Sequence, residues 1–205
     1  MDISALLVFA AALFVAAAIP GPGIAAIVAR VLARGREGAF AFCLGIAIGD
    51  VIWLGFAVAG LAVLAKTFGT VFLVLKYAGA LYLAYLAWKM WTAPADSGLA
   101  ALGPVRKESP FALTMGGLAV TMGNPKVMVF YLALLPNIIA LETVTVLGYA
   151  ELSLVTFAVL AVVLGAYCLL AERARKMLAS PRALRVLNRV AGSVMAGAAV
   201  AVATR

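Results

Sequence analysis

Six long apolar runs, at about residues 4–29, 38–65, 71–88, 111–136, 144–171 and 186–203, leave this chain little choice of fold. A helix needs roughly 20 apolar residues to cross the hydrocarbon of a bilayer, and only helices or closed barrels satisfy their backbone groups there. None of the runs alternates polar and apolar residues as barrel strands do, so each is expected to be helical. The sequence therefore predicts an all-α membrane protein of six transmembrane helices. The sixth run is the weakest, because Asn188 and Arg189 stand near its start. Five spans followed by an interfacial helix is the alternative it leaves open.

Six spans with short connections consume most of a 205-residue chain, so a single transmembrane domain is expected. Only 12% of the residues are charged, against about 25% in an average soluble domain. A net charge of +8 would invite a nucleic-acid reading in a soluble protein. Here the cations lie between the apolar runs. The first connection holds Arg30, Arg34 and Arg36, the third holds Lys89, Arg106 and Lys107, and the fifth holds Arg173, Arg175, Lys176, Arg182, Arg185 and Arg189. The other side has Lys66 and Arg205. That asymmetry is the positive-inside pattern of an inner (plasma) membrane protein; it places the odd connections in the cytoplasm and both termini outside, with no nucleic-acid partner. Asp2 precedes the first run with no Lys or Arg beside it, which is the wrong sign for a cleaved signal peptide, so the first helix is expected to be retained.

The third connection carries Pro94, Asp96, Ser97, Gly98, Gly103 and Pro104 and divides the chain into repeat one (1–92), a cytoplasmic linker (93–108) and repeat two (109–205). Each repeat holds three spans, an odd number, so the halves would cross the membrane in opposite senses. Two inverted three-helix repeats are the architecture of many secondary transporters, whose sites lie where paired helices are interrupted. Helices one and four are interrupted here, at Pro20-Gly21-Pro22-Gly23 and at Gly123-Asn124-Pro125-Lys126. Proline removes a backbone donor and clashes with the preceding turn, while glycine permits open backbone, so both helices are expected to break and expose carbonyls and amides.

Ionisable groups inside the runs point to the same region. Asp50 in span two and Lys126 at the second break each cost several kcal/mol to insert and are functional candidates for that reason. Glu151 follows Pro125 at nearly the offset by which Asp50 follows Pro20, and joins them as a candidate. Tyr82 stands at the middle of span three and is the aromatic best placed to reach a solute; Lys76 can snorkel to the outer interface. Gly45 and Gly49 form a GxxxG pair that reads as close helix packing. There is no His and no CxxC pair, which removes the commonest metal ligand and disfavours a thiol relay; Cys43 and Cys168 read as buried thiols.

The ordered set of Pro20-Gly21-Pro22-Gly23, Gly49-Asp50, the stretch from Lys76 through Tyr82 to Leu86, and Asn124-Pro125-Lys126 with Phe130 resembles the LysE/RhtB family of amino-acid exporters. The likeness covers the first two thirds of the chain; the last third matches in hydropathy and length. The resemblance implies a secondary transporter, not an enzyme, that exports amino acids or close derivatives from the cytoplasm by proton antiport. It also implies that the first break, Asp50 and Asn124-Pro125-Lys126 carry transport. No GxxxxGK[ST] phosphate loop is present, and no cofactor is expected. Without His, proton coupling falls to a carboxyl group desolvated in the membrane. The partners expected are an amino acid, protons, the lipid bilayer and a second copy of the chain as a homo-oligomer. The alternatives are an exporter of metal ions, for which carboxylates and thiolates are few, and a thiol-relay electron carrier, which would need Cys43 and Cys168 close together.

Overall fold

The computed structural model describes residues 1–60 and 108–177, together with helical positions 77, 81, 84, 85, 88, 189, 193, 196, 197 and 200. Lys76, Tyr82, most of spans three and six and nearly all of the linker lie outside the described residues. Among those described, all regular structure is helical: α1 (Ile3–Ala18), α2 (Pro22–Arg34), α3 (Ala39–Val58), α4 (Pro110–Met122), α5 (Pro125–Val129) and α6 (Val146–Met177). A π-helical turn, Phe130–Leu134, and a 3-10 turn, Leu135–Asn137, extend α5.

Local chemistry sets these boundaries. Pro22 and Pro125 each occupy a first helical position, where the missing N–H costs nothing. The Asn124 side chain caps α5 by accepting from the Lys126 amide at 3.1 Å. Gly35 and Gly38 turn the chain between α2 and α3 at φ 69° and 68°, a region that side chains with a Cβ avoid. Pro136 removes the donor that the Leu132 carbonyl would use in an α-helix, and the ladder widens into the π turn just before it.

Two helices, α3 and α6, are each long and apolar enough to cross a membrane. The pair α1 and α2 bends by 58° at its break and the pair α4 and α5 by 57°, and each bent pair is long enough as one interrupted span. The described residues thus hold up to four spans, with both predicted interruptions in place. The segment after the first break is longer than its apolar run, and α6 continues past residue 171 to Met177.

Helices α3 and α4 pack backbone to backbone. A Cβ on Gly45 or Gly117 would collide with the carbonyl oxygen of Thr114 or Phe42, respectively. One on Gly49 would lie 2.7 Å from Thr121 Cβ. Thr114 Oγ1 donates across this seam to the Ala41 carbonyl at 3.1 Å. Apolar packing forms two clusters. One joins α2, α3 and the second half of α6 around Ile27, Val31, Phe42 and Leu164. The other joins α1, the end of α3, the π turn and the start of α6 around Phe9, Trp53, Tyr131 and Leu152.

The two ends of the bundle differ in charge. At one, Glu108 accepts from Arg30 at 2.8 Å and Arg34 at 3.0 Å, and Arg36 pairs with Glu172 at 3.4 Å. At the other, the Met1 ammonium pairs with Glu151 at 2.6 Å. The described positions Tyr77, Leu81, Tyr85 and Trp88 share one helical face and are exposed, as a lipid-facing stripe would be.

Candidate functional site

Where the two apolar clusters meet, a cavity of about 50 Å³ is walled by both helix breaks. Gly23 and Ile24 reach it from α2, Asp50 from α3, Thr121 from α4, and Asn124 and Lys126 from the second break. Leu13, Phe130, Leu160 and Leu164 supply apolar wall. Of the sequence candidates, Gly23, Asp50, Asn124 and Lys126 are brought together here, with Pro20, Gly21, Pro22 and Pro125 forming the breaks that expose them.

The breaks are joined through Lys126. Its ammonium donates to the Ala16 carbonyl at 2.9 Å and the Ile19 carbonyl at 2.6 Å. These are carbonyls that the end of α1 cannot satisfy internally, and a cation suits the negative end of that helix dipole. A third, that of Ala18, accepts from Tyr167 Oη at 2.8 Å. Gly21 lets the lysine pass: a Cβ there would sit 3.4 Å from both Lys126 Cε and Nζ. The opposite helix end is open, since the Gly23 and Ile24 amides at the start of α2 have no hydrogen-bond partner among the described residues.

Asp50 is only 4% exposed, and its neighbours are the Lys126 ammonium and the Tyr131 hydroxyl. Tyr131 is fully buried on the π turn, in edge contact with Phe130 at 5.0 Å between ring centroids. Its hydroxyl faces Asp50 and Thr156 but closes no hydrogen bond with either. Thr156 donates instead to the Leu152 carbonyl at 2.9 Å. Trp53 Nε1 donates to the Thr121 carbonyl at 3.3 Å, tying α3 to α4 one turn beyond Asp50. A carboxyl so placed can hold an ammonium group or a proton, while the open amides and the lysine can hold an anion.

Glu151 is not part of this constellation. It stands near the start of α6, at the end of the bundle, and its carboxylate is taken by the Met1 ammonium. Sequence reasoning missed Tyr131, Thr156 and Tyr167; the signal that could have found them is a hydroxyl inside an otherwise apolar run. Cys43 and Cys168 come close, with sulfurs 4.0 Å apart between α3 and α6. They line a second cavity of about 430 Å³ whose walls, among the described residues, are apolar apart from the thiols and Arg36. It is the larger of the two spaces, but it offers no carboxylate to an ammonium. Among the described residues, no three His, Cys, Asp or Glu side chains are grouped to hold a metal ion.

A family model described as LysE type translocator matches residues 14–205. The homoserine/homoserine lactone efflux protein of Salmonella typhimurium is 31% identical over 85% of this chain and 84% of its own length. The leucine efflux protein of the same organism is 36% identical, over 56% of this chain and 54% of its own length. An uncharacterized membrane protein of Synechocystis is 29% identical over 90% of this chain and 88% of its own length. No solved structure matches the chain.

Proposed function

Because this chain belongs to the LysE-type translocator family, whose members are transporters and not enzymes, we propose that it exports amino acids or close derivatives by exchange for protons through the cavity between its two helix breaks. The observation that carries this reading is the convergence of both breaks, Asp50 and Lys126 on one cavity. Relatives named for efflux of homoserine, homoserine lactone and leucine support the substrate class.

The residues divide the substrate between them. An amino acid brings an ammonium, for which Asp50 is the acceptor, and a carboxylate, for which the Gly23 and Ile24 amides and Lys126 are the donors. On the cytoplasmic side Asp50 gives up its proton and takes the ammonium; on the outer side a proton displaces the ammonium and returns inward with the carrier. One proton enters as one amino acid leaves. Lys126 exchanges the end of α1 for the substrate carboxylate during that cycle, which couples occupancy to the angle at the first break.

A cavity of about 50 Å³ holds a few waters, each needing roughly 10–15 Å³ by this measure. An amino acid is larger than that space, so its entry requires the cavity walls to move. The chain lies in the inner membrane with both termini outside and its halves acting as inverted repeats, in line with the placement of its basic connections.

Efflux from proteoliposomes loaded with a panel of amino acids, with and without an imposed proton gradient, tests the reading. Gradient-stimulated efflux of at least one amino acid is expected; none from correctly incorporated protein would refute it. The Cys43–Cys168 approach gives the thiol relay its one supporting observation. Replacing both with Ser separates the two, since an exporter keeps its efflux and a relay loses all activity.

A further inference from the structure

Cys43 of α3 and Cys168 of α6 stand 125 residues apart in the chain, yet their sulfurs meet at 4.0 Å. We propose that they are an oxidisable pair: an organic hydroperoxide converts them to a disulfide that ties α3 to α6 and stops transport, the second half of which rests on the exporter reading above. Both thiols are free. Cys43 lies one turn after the start of α3 and Cys168 one turn before Glu172, at the end of the bundle where Arg36 pairs with that glutamate. In the proposed topology this end faces the cytoplasm, where thiols are ordinarily kept reduced. Both thiols line the cavity of about 430 Å³, and two of its walls, Phe40 and Leu44, are exposed side chains. An apolar peroxide has access there and finds apolar surroundings. Cys43 is half-buried and Cys168 only 9% exposed, so Cys43 is the thiol that meets the oxidant and Cys168 the one that resolves it.

The Cys43 sulfur takes the terminal oxygen of the hydroperoxide as the O–O bond breaks; a sulfenic acid forms, and the alcohol leaves with the proton of the thiol. Cys168 then attacks that sulfur, the S–S bond forms, and the displaced oxygen leaves with the second thiol's proton as water. Two electrons pass from the sulfurs to the peroxide. A disulfide holds its sulfurs about 2.05 Å apart, so side-chain rotation and an approach of α3 to α6 must close the gap, and the cavity beside both thiols leaves room for it. The bond acts on the substrate cavity because the two spaces share a wall. Leu160 and Leu164, on the two turns of α6 before Cys168, line both. Ile46 and Asp50, on the two turns of α3 after Cys43, line the substrate cavity. An amino acid enters only when those walls move, and a covalent tie between α3 and α6 holds them in place. A dithiol reverses the bond by exchange and restores movement.

The test treats the full-length wild-type protein in proteoliposomes with tert-butyl hydroperoxide, then follows free thiols, the peptide map and efflux of the amino acid that moves fastest in the panel above, before and after dithiothreitol. Both thiols should disappear together, with a peptide joining Cys43 to Cys168 of one chain. Efflux should fall at least about tenfold and return on reduction. The double variant Cys43→Ala, Cys168→Ala should transport normally and ignore the oxidant. Thiols that survive treatment, or cross-links only between chains, would overturn the inference. So would a complete Cys43–Cys168 bond with unchanged efflux, or equal inhibition of the double variant, because something other than the bond would then govern transport. Untreated protein that moves no amino acid would bring down the exporter reading and the transport half of this inference with it, while the peptide map still decides whether the bond forms.

Discussion

Replacing Lys126 with Met keeps the alkyl stem and deletes the ammonium that joins the two breaks. Two charge-assisted hydrogen bonds disappear, those to the Ala16 and Ile19 carbonyls, each worth about 1.5–3 kcal/mol net. The same change removes the cation nearest Asp50, 4% exposed, and leaving a buried charge uncompensated costs up to about 3–5 kcal/mol. These estimates count one ammonium twice, so the single variant should lose roughly 3–5 kcal/mol in all. Adding Asp50→Asn removes the orphaned charge but cannot restore the lost donors. The double variant should therefore be more stable than the sum of the singles predicts, by a coupling of about 0.5–3 kcal/mol. Unfolding of the purified proteins in mixed micelles, read as a double-mutant cycle, measures that coupling. Additivity within about 0.5 kcal/mol would show that the two groups do not feel one another and would remove the electrostatic basis of the proposed cycle.

Asp50→Asn alone should insert and fold at wild-type level yet lose proton-driven efflux, with Asp50→Glu keeping part of it; normal gradient-driven efflux by the Asn variant would rule out Asp50 as the proton carrier. Tyr131→Phe removes a hydroxyl that closes no hydrogen bond, so stability should hold or rise by about 1 kcal/mol while efflux slows, and a loss of stability instead would reveal a structural partner. Gly45→Val should force α3 and α4 apart and cost about 1–3 kcal/mol or more, seen as a lower detergent melting temperature and poor membrane yield. Reporter fusions should place both termini outside and residues 94–108 inside; a cytoplasmic C-terminus would mean that the sixth run does not span.

The breaks were legible because their causes are local: Pro20 to Gly23 and Gly123 to Pro125 carry the instruction in four or three adjacent residues. Asp50 and Lys126 were legible because charge inside an apolar run is conspicuous wherever it falls. What Lys126 holds was not, since a carbonyl at the end of a helix has no letter in the sequence and these lie 110 and 107 residues away. Glu151 was misplaced by symmetry: matching offsets in the two halves suggested a partner role, but α6 starts at Val146, so five residues on, Glu151 is still near the helix end and within reach of the amino terminus. The approach of Cys43 to Cys168 depends on how α3 crosses α6, which periodicity alone does not specify. Tyr131 was hidden among apolar neighbours, and only the π turn imposed by Pro136 aims it at Asp50.

The lysine that closes the end of α1 is made late. At ribosomal speeds of about 5–20 residues per second, the Ile19 carbonyl waits roughly 5–20 s for its partner. Throughout that interval the nascent first half holds an unfinished helix end and a lone carboxyl, groups that hydrocarbon tolerates only at several kcal/mol each. The helices made before that point, α1 to α3, are thus poorly suited to lipid by themselves until residue 126 is made. Chains that stop short of that residue keep the carbonyls of Ala16 and Ile19 without the donor that closes them.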